Sequence, residues 1–99
     1  MNIEELKQKH GVIFTLEIPT GENGEVTTIH LRKLDRTTYS AVSKLIQKDE
    51  LQAAEVLLKN LYVGGDNLDI ITQDFDNLRS ASNAVAEMLK AKEGVLKKN

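Results

Sequence analysis

The residues that could bind a metal ion are two histidines, His10 and His30, and a group of aspartates between positions 66 and 76. Zinc sites use three or four closely spaced His, Cys or carboxylate ligands, and this chain has no cysteine. A calcium-binding EF-hand needs alternating ligands followed by a glycine, and the segment from Asp74 to Asn77 has only the first two ligands. We therefore expect no metal site, with Asp74 capping a helix and Asp76 in its first turn.

Groups for covalent or phosphate chemistry are equally sparse. The chain has serines and threonines but no Gly-x-Ser-x-Gly elbow, and His30 is predicted on the solvent side of a strand. A phosphate-binding loop would need a strand before Gly64-Gly65-Asp66 and a lysine after it. A helix is predicted there instead, so the glycines are interpreted as a helix-ending turn. We expect no enzyme activity, no catalytic residue and no cofactor.

Composition narrows the possible partners. The 99 residues suffice for one domain, and 13 basic against 15 acidic residues leave a net charge of −2. Nucleic-acid binding is not expected, because all four aromatic residues are predicted to be in the core: Phe14, Tyr39, Tyr62 and Phe75. No apolar run approaches the roughly 20 residues of a membrane span, and the acidic N-terminal segment is unlike a signal peptide. We expect a soluble, cytoplasmic protein.

A β-hairpin over residues 12–33 is the strongest local prediction. Apolar residues alternate at Val12, Phe14, Leu16 and Ile18, which is the period of a half-buried strand. A turn-rich stretch with an Asn-Gly pair follows, and residues 26–32 return as a second strand. Because two strands alone are unstable in water, the hairpin must be covered by helices or extended by another copy.

Helices are predicted for the rest of the chain. A short helix over residues 1–10 precedes the hairpin, and a helical pair over residues 36–62 follows, with caps at Asp35 and Asp49. A long C-terminal helix is predicted over residues 74–97, with apolar residues at five of seven near-heptad positions. The predicted fold is a single α+β domain over residues 1–99, in the order α-β-β-α-α-α.

Protein binding is the function class that these exclusions leave. Both hairpin strands are potential sheet edges, and the last helix carries an apolar row that could fit a partner's groove. The alternative is that the helices of the same chain cover these features. The residues alone leave both interpretations open.

Four stretches, in this order, resemble a family of small phage and prophage proteins described as tail assembly chaperone-like. They are the hairpin, residues 31–36, residues 54–66 with their Gly-Gly-Asp ending, and the Lys-rich residues 90–98. The chain departs from the family pattern at Leu34, at Leu61-Tyr62 and at Gly94. The resemblance covers roughly residues 12 to 98.

The resemblance implies a non-enzymatic protein that transiently binds a tail protein, such as a tube subunit or tape-measure chain, in the bacterial host cell. A chaperone of this kind needs an apolar surface of its own. We predict that surface where the resemblance is densest, at Arg32, Arg36, Tyr62, Val63, Gly64, Gly65 and Asp66. A core position for Tyr62 is the competing prediction. Alternative functions are a small nucleic-acid-associated or regulatory prophage protein, or a structural homo-oligomer formed through the hairpin.

Overall fold

The computed structural model describes residues 2–90 and 94–99, which form eight helices and strands. In chain order they are α1 (Ile3–His10), β1 (Ile13–Pro19), β2 (Val26–Arg32), α2 (Arg36–Ser43), α3 (Glu50–Leu61), β3 (Tyr62–Gly65), α4 (Asp69–Thr72) and α5 (Phe75–Leu89). The predicted α+β class and the order of helix, hairpin and helices are confirmed. The third strand was not predicted.

The three strands form one antiparallel sheet in the order β1-β2-β3. The predicted hairpin pairs Ile13 with Arg32 at one end and Pro19 with Val26 at the other. Beyond that last pair, the Thr20 N–H donates to the Glu25 carbonyl at 3.0 Å and closes the turn. Strand β2 is therefore central, and β1 and β3 are the two edges.

The inner face of the sheet packs against α3 and α5. Leu16, Ile18, Ile29 and Leu31 lie on this face and are almost completely buried. The helices complete the core with Val42, Ala53, Ala54, Leu57, Leu58, Leu61, Ile71, Leu78, Ala81 and Val85. Each fully buried leucine or isoleucine contributes roughly 2–3 kcal/mol to folding, so this cluster is the main source of stability.

The opposite face of the sheet carries α1. Leu6 is fully buried but lies outside the main core cluster. A side chain at Gly64 would meet Leu6 at 3.3 Å, and Gly64 pairs with His30, which lies on the face opposite Ile29 and Leu31. The short N-terminal helix is therefore held by one buried leucine against the outer face of β3.

Three predicted helix caps are confirmed. Asp35, Asp49 and Asp74 each accept a hydrogen bond from the backbone N–H three residues later, at 2.7, 3.0 and 2.9 Å. These bonds satisfy N–H groups that have no partner within the helix.

The predicted helical pair over residues 36–62 starts at Arg36 as predicted, but each of its helices is followed by a segment that was not predicted. Helix α2 ends at Ser43, and turns over residues 44–48 separate it from the cap of α3 at Asp49. Helix α3 ends at Leu61, and the next four residues form β3 instead of a helix-ending turn. The free edge of β2 offers this segment backbone partners, although the pairing contains an irregularity between His30 and Leu31. Such long-range partners cannot be seen in the local sequence pattern that predicted a helix end.

The C-terminal helix is also shorter than predicted. Helix α5 ends at Leu89, and Lys90 has extended backbone angles. Residues 91–93, including the predicted helical position 92, lie outside the described residues. Residues 94–99 are not helical, and Val95 and Leu96 are 79% and 100% exposed. The apolar row ends where the core ends, and Gly94 disfavours helix beyond it.

The prediction that all four aromatic residues lie in the core is wrong. Phe14, Tyr39 and Phe75 are 44%, 48% and 62% exposed, and only Tyr62 is half-buried against the core. Phe14 and Phe75 lie at the starts of β1 and α5, where the core ends, whereas Tyr39 lies in the middle of α2 on its exposed side.

Candidate interaction surface

The histidines and aspartates considered for chemistry are separated in space. The Thr15 hydroxyl and His30 Nδ1 share a hydrogen bond at 3.0 Å across the outer face of the hairpin. Within residues 2–90 and 94–99, no group of three or more His, Cys, Asp or Glu side chains is placed to bind a metal ion. Asp74 caps α5 and Asp76 lies in its first turn, as predicted.

Gly65 lies where β3 makes its closest approach to β2. Its φ is +99°, a left-handed value that other residues rarely adopt. A Cβ atom at Gly65 would lie 2.6 Å from the Thr28 carbonyl oxygen and 2.8 Å from Ile29 Cα. Both the backbone angle and the available space therefore require glycine at this position.

Asp66 continues the sheet with its side chain. Its N–H donates to the Thr28 carbonyl at 2.8 Å, and the Thr28 N–H donates to Asp66 Oδ2 at the same distance. The Tyr62 hydroxyl donates to the Asp66 carbonyl, also at 2.8 Å. The Gly-Gly-Asp sequence thus joins β3 to β2 and fixes the chain that leaves the strand.

Arg32 connects β2 to two helices. Its guanidinium donates to Asp35 Oδ2 at 2.7 Å and to the Asn60 carbonyl at 3.0 Å, near the C-terminus of α3. Hydrogen bonds from Thr38, and then the Arg32 guanidinium, lower the pKa of Asp35 from 3.8 to about 2. The side chain of Arg32 therefore links the start of α2 to the end of α3.

The predicted partner residues are neighbours along β3 and at the end of β2, but most of their polar groups bind within the chain. Val63 and Gly64 are half-buried in β3. Arg36 is the exception, because it lies exposed at the start of α2. A role for this segment in binding a partner stays a prediction, whereas the hydrogen bonds show that it joins β3 to β2.

An open apolar groove lies at the other edge of the sheet, between β1 and the end of α5. Its volume is about 500 Å³. We call it the β1 groove and define it by Phe14, Leu16, Leu31, Leu34, Val85 and Met88. Leu16, Leu31 and Val85 are buried and form its floor, whereas Phe14 is exposed on its wall.

Charged residues surround this groove. Lys33, Glu87 and Lys90 lie on its rim. Lys90 donates to Glu87 at 3.0 Å, whereas Lys33 makes no salt bridge within the described residues. The groove therefore combines an apolar floor with an uncompensated positive charge at its edge.

Sequence reasoning missed this groove because it depends on where α5 ends. Phe14 has the same strand parity as Leu16, and the spacing alone predicts that both are buried. Only the position of Leu89, the last residue of α5, leaves Phe14 uncovered. No local sequence pattern distinguishes Phe14 from Leu16.

Comparisons with protein-family models, curated proteins and solved structures gave no match. Among the residues that the structure describes, no helix is both long enough and apolar enough to cross a membrane. The arrangement in the structure, an apolar groove beside an uncovered strand, is therefore the main basis for a functional proposal.

Proposed function

We propose that this chain is a non-enzymatic protein-binding domain that transiently holds a tail protein of a phage or prophage before assembly. The β1 groove is the observation that carries the proposal. An apolar groove with an exposed phenylalanine on its wall can shield apolar surface on another protein. The resemblance supports a tube subunit or tape-measure chain as the client and the cytoplasm of the bacterial host as the compartment.

Two placements of the client surface compete. The β1 groove offers apolar side chains without partners of their own, and Phe14 on its wall is 44% exposed. The segment from Tyr62 to Asp66, with Arg32 and Arg36, offers mainly backbone and side-chain groups that already have partners. Because a client could bind the polar groups of that segment only by replacing hydrogen bonds that already exist within the chain, we favour the groove.

Co-purification with one defined client tests the proposal. The tagged chain would be co-expressed with the tail tube protein or the tape-measure protein of the same prophage, and the captured amount measured. We expect capture by the parent chain and a loss of at least about tenfold for Phe14→Ala, which removes a wall anchor.

Two control variants locate the surface. Phe75→Ala removes an exposed phenylalanine at the far end of α5 and should leave capture unchanged, and so should Arg36→Ala. If Arg36→Ala abolishes capture while Phe14→Ala does not, the placement moves to the β3 segment. If the folded parent chain captures neither tail protein, the proposed function is wrong.

Nucleic-acid binding is the second candidate, and one observation favours it. The Arg79 guanidinium lies 5.7 Å from the centroid of the exposed Phe75 ring, so a ring and a cation are side by side on the surface. Binding to single-stranded DNA at low salt that weakens steeply with added salt, and that Phe75→Ala removes, would support this candidate. Asp74 and Asp76 flank the same ring and oppose a polyanion.

A further inference from the structure

The outer edge of β1 presents unpaired backbone groups at alternate residues. In an antiparallel pair, residues that bond across the ladder alternate with residues whose N–H and C=O point away. The bond from Thr20 to Glu25 places the bonded pairs at even residues of β1. Ile13, Thr15 and Glu17 therefore direct their backbone groups outward.

The hydrogen bonds of β2 lead independently to the same assignment of inward and outward residues. Thr28 bonds to Asp66 on the β3 side through both its N–H and its carbonyl, so it does not bond to its β1 partner Glu17. At the end of β1, Pro19 points outward as well and has no N–H to leave unpaired. No strand pairs with this edge within the described residues.

The β1 groove reaches the same edge. Thr15 lines the groove, although its hydroxyl lies on the outer face with His30. The groove therefore meets Thr15 through its main chain, beside the apolar side chains of Phe14 and Leu16. Backbone partners and an apolar channel along one strand match an extended peptide, whose side chains alternate with the same period.

The charged residues on the rim of the β1 groove indicate which charge a bound peptide should carry. Lys33 lies on the rim without a salt bridge in the described residues, whereas the nearby Lys90 is paired with Glu87. A carboxylate on the incoming segment would complement Lys33, and a basic segment would be repelled.

We propose that an extended segment of the client, apolar at alternate positions and carrying an acidic residue, adds to the outer edge of β1 as a fourth strand. Its apolar side chains fill the β1 groove and its carboxylate lies beside Lys33. This inference rests on the proposed function for the identity of the client, but strand addition itself can be measured with a peptide.

The probe is a capped peptide of alternating valine and threonine with an aspartate at each end, titrated into the full chain. Thr15→Pro removes one outward N–H while leaving the bonds between β1 and β2 in place. Thr15→Val is its matched control, because both variants lose the hydroxyl bond to His30. We expect Thr15→Pro to bind the peptide about tenfold or more weakly than Thr15→Val, which corresponds to one lost hydrogen bond.

Hydrogen exchange and charge reversal give two further readouts. Peptide binding should slow amide exchange at Thr15 and Glu17, whose N–H groups point outward. Lys33→Glu should weaken binding of the acidic peptide and improve binding of the same peptide with lysine in place of aspartate. Equal affinity of folded Thr15→Pro and Thr15→Val, with no added protection, would overturn strand addition.

Three outcomes distinguish strand addition at β1 from binding of a tail protein. Capture of the tail protein that is lost in Phe14→Ala but undiminished in Thr15→Pro would keep the groove as the client surface and overturn the fourth strand. A concentration-dependent dimer of the chain alone, abolished by Thr15→Pro, would assign the edge to a second copy and overturn the client segment. Peptide binding with no capture of a tail protein would support strand addition and refute the named client.

Discussion

The two outer strands of the sheet differ in the contacts described for them. Residues specific to this chain fix β3 to β2, because Gly65 allows close approach, Asp66 supplies both a backbone and a side-chain bond to Thr28, and the Tyr62 hydroxyl bonds to the Asp66 carbonyl. At the β1 edge, alternate backbone groups point outward beside an apolar groove. The Gly-Gly-Asp segment thus has a structural role in the sheet, whereas the outer backbone groups of β1 have no strand partner within the described residues.

The largest expected effect tests the contact between β3 and β2. Gly65→Ala combines a left-handed backbone angle with a Cβ atom placed against β2, so we expect a loss of about 3 kcal/mol or more in the free energy of unfolding. Urea denaturation measures it. Gly11→Ala is the matched control, because Gly11 has φ +80° but no atom within 4 Å of the added Cβ, and we expect about 1 kcal/mol.

Two residues on one face of β1 define where the core ends and the open edge begins. Leu16 is 9% exposed and Phe14 is 44% exposed. We expect Leu16→Ala to cost about 2–4 kcal/mol and Phe14→Ala less than about 1 kcal/mol, as measured by thermal or urea unfolding. A cost for Phe14→Ala equal to that of Leu16→Ala would mean that Phe14 is core and that the groove is closed in solution.

A smaller effect is expected at the Tyr62 hydroxyl, which bonds to the chain leaving β3. Tyr62→Phe removes the bond to the Asp66 carbonyl at 2.8 Å and the longer one to the Gly65 carbonyl at 3.4 Å, so we expect a loss of about 1 kcal/mol in stability. Tyr39→Phe, at an exposed ring on α2, is the control and should change stability by less than about 0.5 kcal/mol. Equal losses of stability in the two variants would show that the hydrogen bonds of the Tyr62 hydroxyl do not stabilise the fold.

The smallest effect concerns pH at the junction of β2 and α2. The pKa of Asp35 is about 2 in the folded chain against an ordinary 3.8, so its ionised form is favoured by folding. This contribution is complete above about pH 5 and is lost progressively as the pH falls through 3.8 and then through about 2. Unfolding measured across that range should depend less on pH in Asp35→Asn, which retains a good helix cap. If the pH profile of the variant equals that of the parent chain, ionised Asp35 does not contribute to the stability of the folded chain.

Local rules predicted the elements that depend on neighbouring residues. Alternation gave the hairpin, and the aspartate caps marked the starts of α2, α3 and α5 correctly. A cap depends on a hydrogen bond to the residue three positions later, and a strand depends on apolar residues at alternate positions. Both patterns can be recognised from the local sequence. The α+β class followed from them.

Tertiary structure alone decided the third strand, the end of α5 and the groove. Tyr62 to Gly65 becomes a strand because β2 has unpaired backbone groups far away in the sequence. Phe14 is exposed because α5 ends at Leu89, before it can cover that end of the sheet. Hydrogen bonds and burial between distant elements leave no repeating pattern in the local sequence. The sequence therefore determined which of the local elements form, and packing determined which surface they leave exposed.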